Sequence, residues 1–281
     1  MKSTIFSLLL IFFIQACTLP ANESSQAPAS ASALYFGQKV PGTTPEKFAP
    51  GLISLPNRYE YGSTFSKDGK VFFLGVDAGN QSEIYTAKLV GEEWTELVKI
   101  LDTDPYSHND PMLSPDEQRL YYISNRPTSP TNKKAQYDIW YSKKEGENWS
   151  MPINAGSAIN TNRDEYYISF SQEGAMYFAT RTPIPEDSIR GRAYNFDIVR
   201  SAFKDGAFQQ PERLPKAINT SYYEADVFVA PDESYMIFCG MRPDTYGRGD
   251  LYISFKDEQN NWLPAVHMDS PINTRNHELC P

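Results

Sequence analysis

The stretch AINTNRDEYYISFSQEG, residues 158–174, decides the fold, because much of it is written again downstream. AINTSYYEADVFVAPDES opens at residue 217 with the same four letters, and PINTRNHELCP opens at residue 271 with three of them. Each Ile-Asn-Thr step carries a glutamate five residues past its asparagine: Glu165, Glu224 and Glu278. Six residues after Glu165 and Glu224 a small residue opens an acidic turn, Ser171-Gln172-Glu173-Gly174 and Ala230-Pro231-Asp232-Glu233. The same turn stands upstream at Ser66-Lys67-Asp68-Gly69 and Ser114-Pro115-Asp116-Glu117, with Glu60 and His108 at the glutamate position. The spacings are 48, 57 and 59 residues (66 to 114, 114 to 171, 171 to 230). A period of this length suits a repeat architecture whose unit is several short strands.

Each unit reads as all-β. After the turn comes a short aromatic run: Val71-Phe72-Phe73-Leu74, Leu120-Tyr121-Tyr122-Ile123, Met176-Tyr177-Phe178-Ala179 and Met236-Ile237-Phe238-Cys239. Short runs of this kind, bounded by Gly, Pro, Asp and Ser, predict strands. An acidic residue then opens a third strand at Glu83-Ile84, Asp138-Ile139, Asp197-Ile198 and Asp250-Leu251, and a fourth follows with Trp94, Trp149, Phe208 or Trp262. In the strand before the turn Tyr166, Ile168 and Phe170 alternate with Glu165, Tyr167 and Ser169. Four strands repeated around a ring make a β-propeller.

These residues resemble a known family. Ser114-Pro115-Asp116, then Ser124-Asn125-Arg126, then Asp138-Ile139-Trp140-Tyr141 are similar to the WD40-like (PD40) repeat of TolB-type β-propellers, over roughly residues 55–281. Lys67 and Gln172 stand where proline is usual, and Asp77 where the other units carry arginine. The resemblance implies a fold and leaves function open, since propellers host unrelated activities. Residues 34–54 are expected to give the outer strand of a blade whose inner strand starts at Glu278, so the ring counts five blades, the last split between the chain ends. The strands expected after Pro281 are missing, which reads as a truncated chain.

The N-terminus predicts a location. Lys2, the apolar run from Ile5 to Ile14, and Ile14-Gln15-Ala16-Cys17 form a signal peptide over residues 1–16. The last four residues resemble the bacterial lipobox, which implies lipid on Cys17. Residues 17–33 are Ser/Ala/Pro-rich and predict a flexible tether ahead of a propeller at 34–281. Thr18 resembles the pattern sorted to the outer membrane. The expected location is the bacterial cell envelope, lipid-anchored, at the outer membrane facing the periplasm.

With net charge −9 and pI near 4.9, no basic patch favours nucleic acid. Cys239 and Cys280 fall in neighbouring units, where a disulfide and two buried thiols are both open readings. His108, His267 and His277 lack metal-ligand spacing and read as surface or loop residues; no metal, cofactor or catalytic motif is expected.

One constellation suggests a site. Glu60, Glu165, Glu224 and Glu278 begin the inner strands, and Arg126, Arg181 and Arg242 end the second strands, on one rim. The longest loops leave from that rim and carry Arg190, Arg192, Tyr194, Tyr246 and Arg248. Recurrence in every unit points to ion pairs tying adjacent blades. The same residues could instead line a binding rim for an envelope protein or glycan. Two function classes follow: a non-catalytic binding or scaffolding lipoprotein, or a carbohydrate-active hydrolase using channel-mouth carboxylates, which would need two carboxylates in unlike surroundings.

Overall fold

The acidic turns and aromatic runs fold as the repeat demands. The computed structural model describes residues 29–101, 104–129, 136–183 and 195–281. Apart from one 3-10 turn at Ala33–Tyr35, the regular structure of the described residues is β-strand. Blade one comprises Tyr59–Phe65, Val71–Asp77, Ser82–Val90 and Val98–Ile100 from the axis outward. Blade two comprises His108–Leu113, Arg119–Ser124, Asp138–Glu145 and Ile153–Asn154; blade three Glu165–Phe170, Met176–Thr182, Asn195–Ser201 and Glu212–Arg213. Blade four comprises Tyr223–Val229, Tyr235–Met241, Asp250–Phe255 and Val266–His267. Within the blades these strands pair antiparallel, as short hairpins require. The result is an all-β propeller of four-stranded blades.

The turn sequences have a local cause. Ser66 and Ser114 donate their hydroxyls to Asp68 and Asp116 at 2.6 and 2.5 Å, closing the turn from inside. The turn's last position has φ between 56° and 87° at Glu117, Glu233, Gly69 and Gly174. The two glutamates pay back that unfavourable backbone by bridging blades. Lys67 N–H donates to Glu117 Oε1, and Glu233 pairs with Arg200 of blade three and with Lys256.

Alternation along each second strand builds the core between blades. Phe73 and Ile84 of blade one meet Leu120 and Tyr122 of blade two. Tyr121 and Ile139 meet Ile168, Met176 and Phe178 of blade three, and Tyr177 and Ile198 meet Val227, Met236 and Phe238 of blade four.

The N-terminal segment departs from expectation. Residues 34–54 contribute no named strand, only the 3-10 turn and an isolated bridge at Pro50–Ser54. Phe36, Phe48, Ala49 and Ile53 instead cover the face of blade one formed by Phe72, Leu74 and Val76. Phe36 stacks on Trp94 with ring centroids 4.0 Å apart, so the segment is held by its side chains and not by ladder bonds. Packing also starts earlier than the tether's expected end: Ser30 bonds Glu92, and Trp94 Nε1 donates to Ala33 O at 2.6 Å. Cys17 lies outside the described residues.

Candidate functional site

The Ile-Asn-Thr motif turns out to be a clasp. Asn160 accepts from Ile139 N–H and donates to Ile139 O, both at 2.8 Å. Asn219 does the same to Ile198 at 2.8 and 2.7 Å, and Asn273 to Leu251 at 2.8 and 2.9 Å. Each asparagine therefore stands in for a strand, satisfying both main-chain groups of the residue after the third strand's acidic residue. The following threonine hydroxyl donates to the glutamate carboxylate: Thr161 to Glu165 at 2.7 Å, Thr220 to Glu224 at 2.5 Å, Thr274 to Glu278 at 2.6 Å.

The glutamates are thus consumed locally, and Glu165 and Glu224 are fully buried. Burial raises the pKa of both, that of Glu165 to about 7. The expected ties between adjacent blades are corrected: these ion pairs lie within a blade. Arg242 Nε donates to Glu224 Oε1 at 3.0 Å while its guanidinium stacks on Tyr252. Arg181 pairs with Asp164, the neighbour of Glu165, at 3.2 Å, and Arg126 pairs with Asp104. Glu60 is held by Arg58 at 2.7 Å. Arg190, Arg192 and Tyr194 lie outside the described residues. Tyr246 and Arg248 are exposed, with Tyr246 donating to Asp269.

Of the histidines expected at the surface or in loops, His108 departs: it is buried on an inner strand, while His267 and His277 are partly buried. His108 occupies the glutamate position of blade two, is buried against Tyr122, and is kept neutral by burial, which holds its pKa below the ordinary value. His267 sits on the outer strand of blade four between Asp250 at 2.7 Å and Asp269 at 3.1 Å. His277 Nε2 stands 3.8 Å from Cys239 Sγ. Cys239 and Cys280 are both free thiols.

A set of residues missed in the sequence fills the axis. Two positions beyond each glutamate site stand Gly62, Asp110, Tyr167, Asp226 and Cys280. The inner strands break register there, between Tyr61 and Ser63, Asn109 and Met112, Tyr166 and Ile168, and Ala225 and Phe228. Asp110, Tyr167, Asp226 and Cys280 share φ near 50° (51°, 48°, 51° and 55°), so the bulge aims one residue per sector inward. A Cβ on Gly62 would already meet Asp110 and the Tyr167 ring at 3.2–3.3 Å, which explains glycine there. Tyr167 crosses the axis and donates its hydroxyl to Pro281 O at 3.0 Å. Burial pushes Asp110 up to about 8, with Asp226 adding to it, and pushes Asp226 up to about 7. No shared residue type marks this ring, so repeat comparison could not find it; the constant offset from the glutamate was the available signal.

On the side of the acidic turns the axis opens into a cavity of about 730 Å³, lined among others by Phe65, Met112, Phe170, Phe228, Ile237 and Pro281, with Lys67 and Glu117 at its edge. This concavity is on the opposite rim from the long loops.

No protein-family model matches the sequence, and no curated protein matches it. Among solved structures the chain is similar to TolB from Acinetobacter baumannii, with 15% identity, a TM-score of 0.48, and coverage of 76% of this chain and 45% of that one. It is also similar to prolyl oligopeptidase B from Galerina marginata (12%, TM-score 0.46, covering 78% and 27%). A third is an oligogalacturonate lyase from Vibrio parahaemolyticus (13%, TM-score 0.42, covering 70% and 49%). The chain spans less than half the length of each of these structures.

Proposed function

We propose that the chain is a non-catalytic binding or scaffolding module of a bacterial cell envelope, attached to the membrane through lipid on Cys17 and holding a protein or glycan at the turn-side mouth of its channel. The observation that carries this reading is the mouth itself: a concavity of about 730 Å³ lined largely by apolar side chains from all four blades. Binding pockets have this composition, with few polar groups fixing orientation; here Lys67 and Glu117 stand at the edge. The hydrolase alternative asks for a carboxylate pair open to a sugar ring. Glu165 and Glu224 are sealed in clasps, and Asp110 is buried beside Tyr167, so none of these three is open to a sugar ring.

Envelope extracts and glycan arrays probed with the purified protein test the reading. Capture should be lost in Met112→Lys, which puts a charge into the mouth, and kept in Tyr246→Ala on the loop rim. The reverse pattern would place binding on the rim that carries Arg190, Arg192 and Tyr194. Cys17→Ser should move the protein from the membrane to the soluble fraction; unchanged fractionation would refute the anchor.

A further inference from the structure

Blade two carries the clasp of its neighbours with the chemistry inverted. In blades three and four a threonine four residues before the inner-strand glutamate donates to it, Thr161 to Glu165 and Thr220 to Glu224. At the same two positions blade two has Asp104 and His108. The acid has moved to the threonine's place, and a base stands in the glutamate's. The arginine has not moved. Arg126 and Arg242 each stand two residues past the cross-strand partner of that position, Ser124 for His108 and Gly240 for Glu224. Arg242 holds Glu224; Arg126 finds no carboxylate at His108 and takes Asp104 instead.

The inverted site is buried and left incomplete. Asp104 and His108 are each 3% exposed, and both ring nitrogens of His108 lack a hydrogen-bond partner among the described residues. Orphaned groups of this kind are rare in a packed interior. On the connector that leads into the inner strand, Asp104 Oδ2 lies 3.5 Å from His108 Nε2, but the same oxygen accepts from Arg126 Nη1. The second strand of blade two sets the edge of Tyr122 against the ring at 5.2 Å. From the outer strand of blade one Lys99, itself paired with Glu83 at 2.7 Å, adds a further positive charge. Burial and the two cations hold the His108 pKa below its ordinary value, while Asp104 pulls the other way. Arg126 is the member with access to water: it is 27% exposed and lies over the rings of Tyr106 and Trp140 at 5.5 and 5.7 Å.

We propose that Asp104, His108 and Arg126 form an acid-operated latch: when His108 takes up a proton from solvent, Asp104 passes from Arg126 to the imidazolium, and Arg126 is released to the long-loop rim. A buried imidazolium must find an acceptor, and Asp104 Oδ2 stands nearest, just beyond hydrogen-bond reach. One carboxylate between two cations keeps the buried one and gives up the one that water can receive. The exchange is a charge event with a mechanical reading, as in other histidine switches. Ser107, beside His108, donates its N–H to Asn125 Oδ1 and accepts from Ser82 N–H of blade one, so a shift of the connector acts on the tie between blades one and two. The latch lies within that seam and is independent of binding at the mouth.

Imidazole nitrogen NMR of the full chain, with its three histidines assigned by substitution, follows His108 as the pH is lowered from 7.5 to 4. In the wild type the His108 midpoint should coincide with a shift of the Trp140 indole resonance, assigned by Trp140→Phe, as Arg126 leaves that ring. Arg126→Ala removes the competitor for Asp104 and should raise the His108 midpoint by about one pH unit or more. Arg126→Lys keeps the charge and should leave the midpoint near the wild-type value. His108→Gln should abolish the Trp140 step. Asp104→Thr combined with His108→Glu restores the threonine–glutamate pair of the other blades and should also leave Trp140 without an acid step. If Arg126→Ala does not fold, those last two variants decide the matter. A Trp140 step that persists in His108→Gln, a His108 titration with no Trp140 step, or a midpoint unmoved in Arg126→Ala would overturn the proposal. So would loss of the circular dichroism at the same midpoint, because His108 would then report unfolding and no latch.

Discussion

Blades three and four are built from the same strands and the same clasp, yet one is closed on both faces and the other on one. At the seam between them Asn219, Ile218, Tyr177 and Ile198 are all buried. On the far side of blade four the matching Asn273 is also buried, but Leu251, which it clasps, and Ile253 are only partly buried, where Ile198 is fully buried. The same motif thus works in two media. What a clasp contributes depends less on its hydrogen bonds than on whether water can replace them.

The largest expected effect tests this directly. Asn219→Ala leaves the main-chain N–H of Ile198 and the O of Leu214 without that partner in a dry seam, while the O of Ile198 keeps Leu214 N–H. At about 1–3 kcal/mol for each stranded buried group, the loss should be about 2–5 kcal/mol. Asn273→Ala breaks two equivalent bonds beside an open face, where water substitutes, and should cost about 1 kcal/mol. Urea denaturation of the two variants measures the difference; equal losses would show that the flank is as dry as the seam.

The arginines give the second contrast. Arg242 is nearly buried, holds fully buried Glu224 and donates to Ile218 O at 2.7 Å. Arg242→Ala leaves a buried carboxylate with only Thr220, which should cost about 3 kcal/mol. Arg181 stands one residue past the partner of Glu165, whereas Arg242 stands two past the partner of Glu224; Arg181 is 43% exposed and pairs with Asp164. Arg181→Ala should cost less than about 1 kcal/mol. Thermal melts of both variants check the order.

That contrast also shows how far the sequence carried. The strands were legible because short apolar and aromatic runs stand between turn signals, and a strand buried on both faces reads as a continuous apolar run. The pairing of Arg181 was not legible, because Asp164 and Glu165 are adjacent carboxylates and only the backbone decides which one faces the guanidinium. Ile-Asn-Thr stood out as a label for the repeat, but its work depends on Asn219 reaching Ile198, twenty-one residues earlier in the chain and on another strand. The axis stayed hidden because Gly62, Asp110, Tyr167, Asp226 and Cys280 share a position and no chemistry. The N-terminal cover was hidden for a related reason: Phe36 and Phe48 hold it through side-chain packing, which leaves no strand pattern in the sequence.

Because Arg181 turns away, Glu165 titrates differently from an ordinary glutamate. Burial raises its folded pKa to about 7, above the ordinary value of 4.5. The folded state therefore holds a proton that the unfolded chain releases, so the contribution is complete below about pH 4.5 and is lost as pH rises through about 7. Glu165→Gln should remove that loss and leave blade three about 1–2 kcal/mol more stable than wild type at pH 8, relative to their difference at pH 5. In blade two the sign reverses. His108 has a folded pKa below its ordinary 6.5, so its contribution is complete above pH 6.5 and is lost on acidification. Between pH 4.5 and 8 Glu165→Gln should lose less stability than wild type on the alkaline side, where Asp110 and Asp226 still contribute a fall, and keep the wild-type fall on the acid side.

The smallest effect distinguishes the outer strands. In each blade an acidic residue opening the third strand is tied to the fourth: Glu83 to Lys99, Asp138 to Asn154, Asp197 to Arg213 and Asp250 to His267. Only blade four uses a group that discharges near neutral pH. Burial alone would lower the pKa of His267, but hydrogen bonds to Asp250 and Asp269 outweigh it and raise the value above 6.5. The stabilisation is therefore present in full below pH 6.5 and is lost as pH rises through the higher folded value. Asp269 is exposed and screened, so the change should be below about 1 kcal/mol and confined to the edge. Amide exchange, corrected for the intrinsic rate, should speed up between pH 6 and pH 8.5 at Val266–His267 and stay constant at Glu212–Arg213, where the arginine keeps its charge. His267→Arg should give blade four the behaviour of blade three. If both edges respond alike in the wild type, the open flank, and not the histidine, governs how the outer strand of blade four frays.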